Sequence, residues 1–206
     1  MFLHGNFVLS GIWLVVMKTL LKKHIEKYLP VSENLLDFLA DNVNYIRLKP
    51  GEIFLKNGKV ADRIGLLQTG ILRAFTLDDQ TNEITSYFYY LPHNDVVTLH
   101  TSFSEGKPAN HCVEAISSSE IISFHKSVIL EAESGFPEMN HLRRLIAEQQ
   151  YLQQSKRINN LQTKSARELY NCFVKESGDL VLNVPQHMIA SYLGMSQYTL
   201  SKIKKQ

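Results

Sequence analysis

Residues 185–205 read Pro185-Gln-His-Met-Ile-Ala-Ser-Tyr-Leu-Gly-Met-Ser-Gln-Tyr-Thr-Leu-Ser-Lys-Ile-Lys-Lys205. The offsets are those of a helix-turn-helix. Ala190 is small enough to let a second helix approach the first, Gly194 supplies the positive φ that a tight inter-helix turn wants, and Ser196 can cap the next helix. Ile189, Leu193, Met195, Leu200 and Ile203 fall where such a unit buries its inner face, a combination an ordinary helical hairpin does not require. In this motif the first turns of the second helix enter the major groove of DNA. Gln197, Tyr198, Ser201 and Lys202 are therefore expected at base edges, with Ser196 and Thr199 near the backbone. Gln186, Lys204 and Lys205 suit phosphate contacts, although a solvated basic tail would look the same.

Upstream of the motif, Leu180–Val184 reads as a short strand. Before it, Ser165-Ala-Arg-Glu168 has the form of a capping box opening a helix with Ala166, Leu169, Tyr170, Phe173 and Val174 on one face, which Ser177-Gly178 is expected to stop. A longer helix is expected from Glu138 to Leu161, free of Gly and Pro, with a stripe of Met139, Leu142, Leu145, Ile146, Leu152, Ile158 and Leu161. Such a stripe needs a cover. Part of it can lie on the preceding domain, and a second copy of the same helix is the most economical cover for the rest, which predicts a two-fold homodimer.

Residues 45–124 are patterned differently. Short apolar or alternating runs (Tyr45–Leu48, Glu52–Leu55, Arg63–Gln68, Ile71–Leu77, Glu83–Tyr90, Asp95–Leu99, His111–Ala115, Glu120–Phe124) are separated by turn residues such as Pro50-Gly51, Asn57-Gly58, Thr69-Gly70 and Asp78-Asp79. Many strands at short regular spacing argue for an antiparallel sandwich or jelly roll. Two short helices precede them between Lys18 and Val43, broken at Pro30 and restarted at a Ser32 cap. The fold expected is α+β: a β-roll over 17–137, a dimerisation helix over 138–161, and a small helix-turn-helix domain of winged-helix type over 162–206. Residues 1–16 are apolar but too short and too interrupted to span a bilayer, and they lack the basic start of a secretory signal; they read as an upstream extension before Met17 or as a hydrophobic arm on the body.

The net charge of +2 over 206 residues hides an asymmetry. Residues 138–206 carry 10 Lys/Arg against 5 Asp/Glu, whereas residues 1–137 carry 12 against 15, as expected if only the carboxyl-terminal third meets a polyanion. Cys112 and Cys172 form no CxxC pair and no Cys/His cluster, which points to free thiols in a reducing cytoplasm and gives no support to a zinc or iron–sulfur site.

Short helices, a jelly roll, one long helix, a capped helix and a helix-turn-helix: in this order the chain from about Lys18 onward resembles the Crp/Fnr family of bacterial transcription regulators. The residues that carry the resemblance are Pro50-Gly51-Glu52, Asn57-Gly58 and Gly70-Ile-Leu-Arg73 in the roll, Asn94-Asp95 with Glu105-Gly106 in the effector region, and Ile189–Ser196 with Leu200–Ile203 in the reader. The resemblance implies a non-enzymatic homodimer on pseudo-palindromic double-stranded DNA, with RNA polymerase as a further partner to consider. Members of the family commonly carry Arg-Glu where this chain has Gln197-Tyr198, and Arg where it has Lys202, so a different half-site is expected.

The resemblance also defines an effector question. Relatives that bind cyclic nucleotides carry a Glu for the ribose hydroxyl and an Arg-Ser or Arg-Thr for the phosphate. The matching positions here are Leu99 and Ala109-Asn110, and no arginine lies between Arg73 and Arg143. A buried phosphodiester needs a charge-assisted partner, so cyclic AMP held in that manner is not expected and the cofactor is left unassigned. A pocket for another effector would draw on Thr98, Leu99, His100, Thr101, Lys107, Ala109, Asn110 and His111, with Gln154 and Ser155 from the long helix. Two other classes compete. A cupin-like jelly-roll metalloenzyme would use His93, His100, His111, Glu105 and Glu114, but no His-x-His pair exists; a membrane-tethered module using residues 1–16 explains neither the caps nor the reader.

Overall fold

The structure, a computed structural model, describes residues 11–205. The expectations for residues 1–10 lie outside this range. The described residues begin with helices α1 (Gly11–Ile25) and α2 (Glu33–Asp41), and Ser32 caps α2 by accepting the Leu35 N–H, as its position predicts. Eight strands follow: β1 (Asn44–Leu48), β2 (Ile53–Leu55), β3 (Arg63–Thr69), β4 (Ile71–Leu77), β5 (Glu83–Tyr90), β6 (Val96–Val97), β7 (Cys112–Ala115) and β8 (Ser119–His125). Between β6 and β7 lies a short helix, α3 (His100–Glu105), which the sequence reading did not anticipate.

The strands form two antiparallel four-stranded sheets, ordered β1-β8-β3-β6 and β2-β7-β4-β5. Alternation along each strand sorts the side chains into separate cores. Leu67, Leu72, Val97, Val113 and Ile121 fill the space between the sheets. The next residue along β8, Ile122, turns the other way and packs with Phe124 under α1, α2 and the two helices that follow the roll. The tight β3–β4 connection depends on Gly70, whose φ of +95° and contact with the Ser118–Ser119 backbone leave no room for a Cβ.

The helices α4 (Lys126–Gly135) and α5 (Pro137–Thr163) lead to α6 (Ala166–Asn183), α7 (Gln186–Tyr192) and α8 (Gln197–Lys204). Ser165 and Glu168 make the reciprocal capping box. Two expectations fail in α6. Ser177-Gly178 does not end the helix but kinks it, with Ser177 at φ −142° and ψ 40°, and Leu180–Asn183 continues as helix instead of forming a strand. The reason is packing: Leu180 and Val184 are buried with Phe173, Ile189 and Phe88, and that burial outweighs the roughly 1 kcal/mol that glycine costs inside a helix. Among the described residues no strand therefore flanks the helix-turn-helix to make a wing.

In α1, Trp13 and Leu14 pack against the helical core, while Ile12 and Val15 are exposed. No helix among the described residues is long and apolar enough to cross a membrane.

Candidate nucleic-acid interface and effector cavity

The α7–α8 unit is built as its residues require. Ile189, Ala190, Leu193 and Leu200 are buried and Met195 packs beside them, while Gly194 takes φ +67° at the turn. The Ser196 hydroxyl accepts the Thr199 N–H at 3.0 Å and lies 2.9 Å from the Thr199 hydroxyl. The two groups expected near the DNA backbone thus hold each other at the start of α8. Gln197, Tyr198, Lys202, Lys204 and Lys205 are exposed, as is Gln186 at the start of α7, and Ser201 is half-buried. Tyr198 is 77% exposed among the described residues.

This unit does not hang free. Its inner face continues into Phe88 and Tyr90 of β5, one shared apolar cluster. The Ser191 hydroxyl accepts the Thr85 N–H at 2.9 Å and donates to the Glu83 carbonyl at 3.1 Å. The Tyr192 ring lies 5.0 Å from that of Phe88, and the Tyr90 hydroxyl is 2.6 Å from Ser177 Oγ. From α5, Arg157 Nη2 donates to the Tyr192 carbonyl at 2.8 Å with its guanidinium over the Tyr192 ring, and Lys156 pairs with Glu176 at 2.8 Å. Sequence reading missed this seat because β5 and α7 are about a hundred residues apart.

The stripe on α5 is divided. Met139 and Leu142 are buried against the roll and Ile146 packs partly on the same core, so these three belong to the chain's own interior. Leu161 lies by the Gly194 turn. Leu152 and Ile158 remain 60% and 52% exposed, and Tyr151, which the stripe did not include, is 70% exposed. Leu145 is half-buried.

Between the roll and α5 is a cavity of about 730 Å³. Thr98, Leu99, His100, Thr101, His111 and Gln154 line it, as expected. Lys107, Ala109, Asn110 and Ser155 do not. Lys107 pairs with Glu105 at 2.7 Å on the surface, and Ala109 is tied into the backbone of the β2–β3 connection through Lys59 and Gly58. Arg143 and Arg157 enter the lining from α5, and Leu21, His24 and Tyr28 from the amino-terminal helices, all unforeseen.

The polar lining is mostly committed to internal partners. His24 Nδ1 donates to Asp95 Oδ2 at 2.7 Å, and its Nε2 accepts from the Gln68 amide at 2.8 Å. Lys27 also pairs with Asp95. Burial pushes the Asp95 carboxyl up, but the hydrogen bonds from His24 and Lys27 outweigh it and hold the group below its ordinary value. Burial and the Asp95 charge raise the Tyr28 phenol to about 12. His111 donates through Nδ1 to Asn110 and accepts the Ser86 hydroxyl at Nε2, and burial lowers its pKa. Burial likewise lowers that of His100, against a smaller pull from Gln150. Among the described residues, three buried atoms of the lining lack a hydrogen-bond partner: Thr98 Oγ1, His100 Nε2 and Arg157 Nε.

Arg73 does not serve the cavity. Its side chain is 2% exposed, donates to Glu114 at 2.6 Å, pairs with Glu83, and stacks 4.3 Å from Phe75. Among the described residues no group of three or more His, Cys, Asp or Glu side chains converges to hold a metal, so the cupin-like set is not assembled.

Solved structures share this architecture. FixK2 from Bradyrhizobium japonicum superposes with a TM-score of 0.69 at 19% identity, covering 79% of this chain and 83% of that one. A regulator assigned to the crp/fnr family in Eubacterium rectale gives 0.65 at 17%, covering 87% and 86%. The fold is that of the Crp/Fnr regulators. The c-di-GMP-responsive global regulator CLP of Xanthomonas campestris shares the Crp/Fnr architecture too, with a TM-score of 0.66 at 11% identity over 84% of this chain and 90% of that one. No family model and no curated protein matches the sequence.

Proposed function

We propose that the chain is a transcription regulator of Crp/Fnr type that binds pseudo-palindromic DNA as a homodimer. The observation that carries the reading is α8: a capped helix whose inner residue Leu200 is buried while Gln197, Tyr198 and Lys202 stand in solvent above a fixed turn. A helix presented in this way enters a major groove, and the basic side chains Lys204 and Lys205 at its end suit flanking phosphates. Gln197 pairs with adenine and Lys202 reaches guanine. That the structurally similar proteins are regulators supports the same reading. The roll over 17–137 senses, the helix over 138–161 dimerises through the exposed Tyr151, Leu152 and Ile158, and residues 162–206 read DNA.

Selection from random double-stranded DNA with purified protein tests it. One half-site class is enriched, repeated about one helical turn apart, ~34 Å. Lys202→Ala relaxes discrimination at one base pair, whereas Lys205→Ala weakens all sites alike and lowers the salt slope by about 1. No enrichment over random DNA at moderate salt refutes the function, and equal losses on cognate and random DNA in both variants refute the residue roles.

The cavity is the effector site of this reading. With Leu99 and Ala109-Asn110 where ribose and phosphate anchors are expected, a cyclic nucleotide is not held through the roll, and millimolar cyclic AMP leaves the melting temperature unchanged.

A further inference from the structure

The cavity's walls are mainly aliphatic and aromatic, with Leu66, Tyr89, Phe103 and Phe124 among them. Its acidic lining residue, Asp95, is already engaged by His24 and Lys27. Of its two arginines, Arg143 is paired with Glu133. Arg157 has no carboxylate within salt-bridge distance among the described residues, and its Nε is buried without an acceptor, as are the polar atoms Thr98 Oγ1 and His100 Nε2 in the same lining. A guanidinium with no carboxylate partner and one buried N–H unmet, at the edge of an apolar cavity, is a group whose hydrogen bonding an anion can complete.

Resting on the effector reading above, we propose that the cavity binds a small organic anion with an apolar body, its charged head held by Arg157 from the long helix instead of by an arginine of the roll. Thr98 and His100 supply the neutral hydrogen bonds around it. The same guanidinium holds the Tyr192 carbonyl at the end of α7. Ligand head and reader therefore draw on one group, and a head that pulls the guanidinium toward the cavity loosens the seat of the helix-turn-helix on the roll. A ligand shifts an equilibrium only by its differential contact with the two states, and Arg157 is where that difference arises.

A dye pair with one ring system separates charge from apolarity: 1-anilinonaphthalene-8-sulfonate, anionic, and N-phenyl-1-naphthylamine, which lacks the sulfonate. Both should bind the full-length protein at one site per chain, the anion more tightly. Arg157→Gln should weaken the anion about tenfold or more and leave the neutral dye unchanged, which also shows that the cavity has survived the substitution. Ala147→Trp, which places an indole on the α5 side of the cavity, should weaken both dyes. Saturation with the anion should speed amide exchange over residues 193–195 in the wild-type chain.

An anionic dye indifferent to Arg157→Gln, or lost together with the neutral one, overturns the anchor. Dyes indifferent to Ala147→Trp lie outside the cavity and overturn the site. Unchanged exchange with Arg157-dependent binding overturns the coupling to the reader. No step requires DNA, so these failures are distinct from failure of the regulator reading.

Discussion

Arg73→Met should destabilise the roll by about 3–5 kcal/mol. The arginine side chain is 2% exposed in the middle of β4, and its main partner, Glu114 on the neighbouring β7, is only 15% exposed. Methionine retains much of the bulk over Phe75 but strands the Glu114 carboxylate, and an uncompensated buried charge costs far more than the pair itself contributes. The second carboxylate, Glu83, is 44% exposed and adds no more than a surface pair, about 1 kcal/mol or less. For a chain of this size the loss lowers the melting temperature by roughly 6–20 °C, at 2–4 °C per kcal/mol. Urea unfolding followed by far-UV circular dichroism measures it, with Arg73→Met, Glu114→Leu and the double variant forming a cycle. The double variant carries no buried charge and should recover most of the loss. A single variant costing under about 1 kcal/mol, or a double variant as unstable as the sum of the singles, refutes the claim that the cost is a stranded charge.

Gly70→Ala places a Cβ 2.6 Å from the Ser118 carbonyl oxygen in a backbone with φ +95°, so a loss on the order of 3 kcal/mol is expected in thermal unfolding; a neutral result would mean that the β3–β4 turn relaxes freely. Asp95 has its pKa depressed in the fold, so its contribution is present above its unfolded value of about 4 and is lost as the pH falls through the folded one. Asp95→Asn should therefore destabilise strongly at pH 7 and much less near pH 3, and a gap between variant and wild type that is constant with pH would exclude this ion cluster as the cause. Ser196→Ala removes the cap of α8 at a cost of about 1 kcal/mol, visible as faster amide exchange at Thr199 with the roll unaffected.

Much of this architecture was legible locally. All eight strands lie where alternating runs between turn residues put them, because a half-buried strand must alternate and a hairpin must turn on residues that tolerate its dihedrals. The caps at Ser32, Ser165 and Ser196 were equally plain, since an N-cap is satisfied within three residues of itself. The cavity was only half legible. Thr98, His100 and His111 lie close in sequence and share the lining, whereas Arg143 and Arg157 reach it from a helix packed across the roll and far along the chain.

By itself the sequence determined the helix-turn-helix, the eight strands of the roll, and the departures at Leu99, Ala109 and Gln197 from the residues expected there, because each depends on residue type and short-range spacing. The tertiary structure decided what required distant surfaces to meet. It turned the Ser177-Gly178 stop into a kink, because Leu180 and Val184 gain more from burial than the local signal costs. It divided the α5 stripe between the chain's own core and an exposed face, and it seated α7 on β5 through Ser191 and Tyr192. It also put Arg157 between cavity and reader, a place no spacing along the chain could assign.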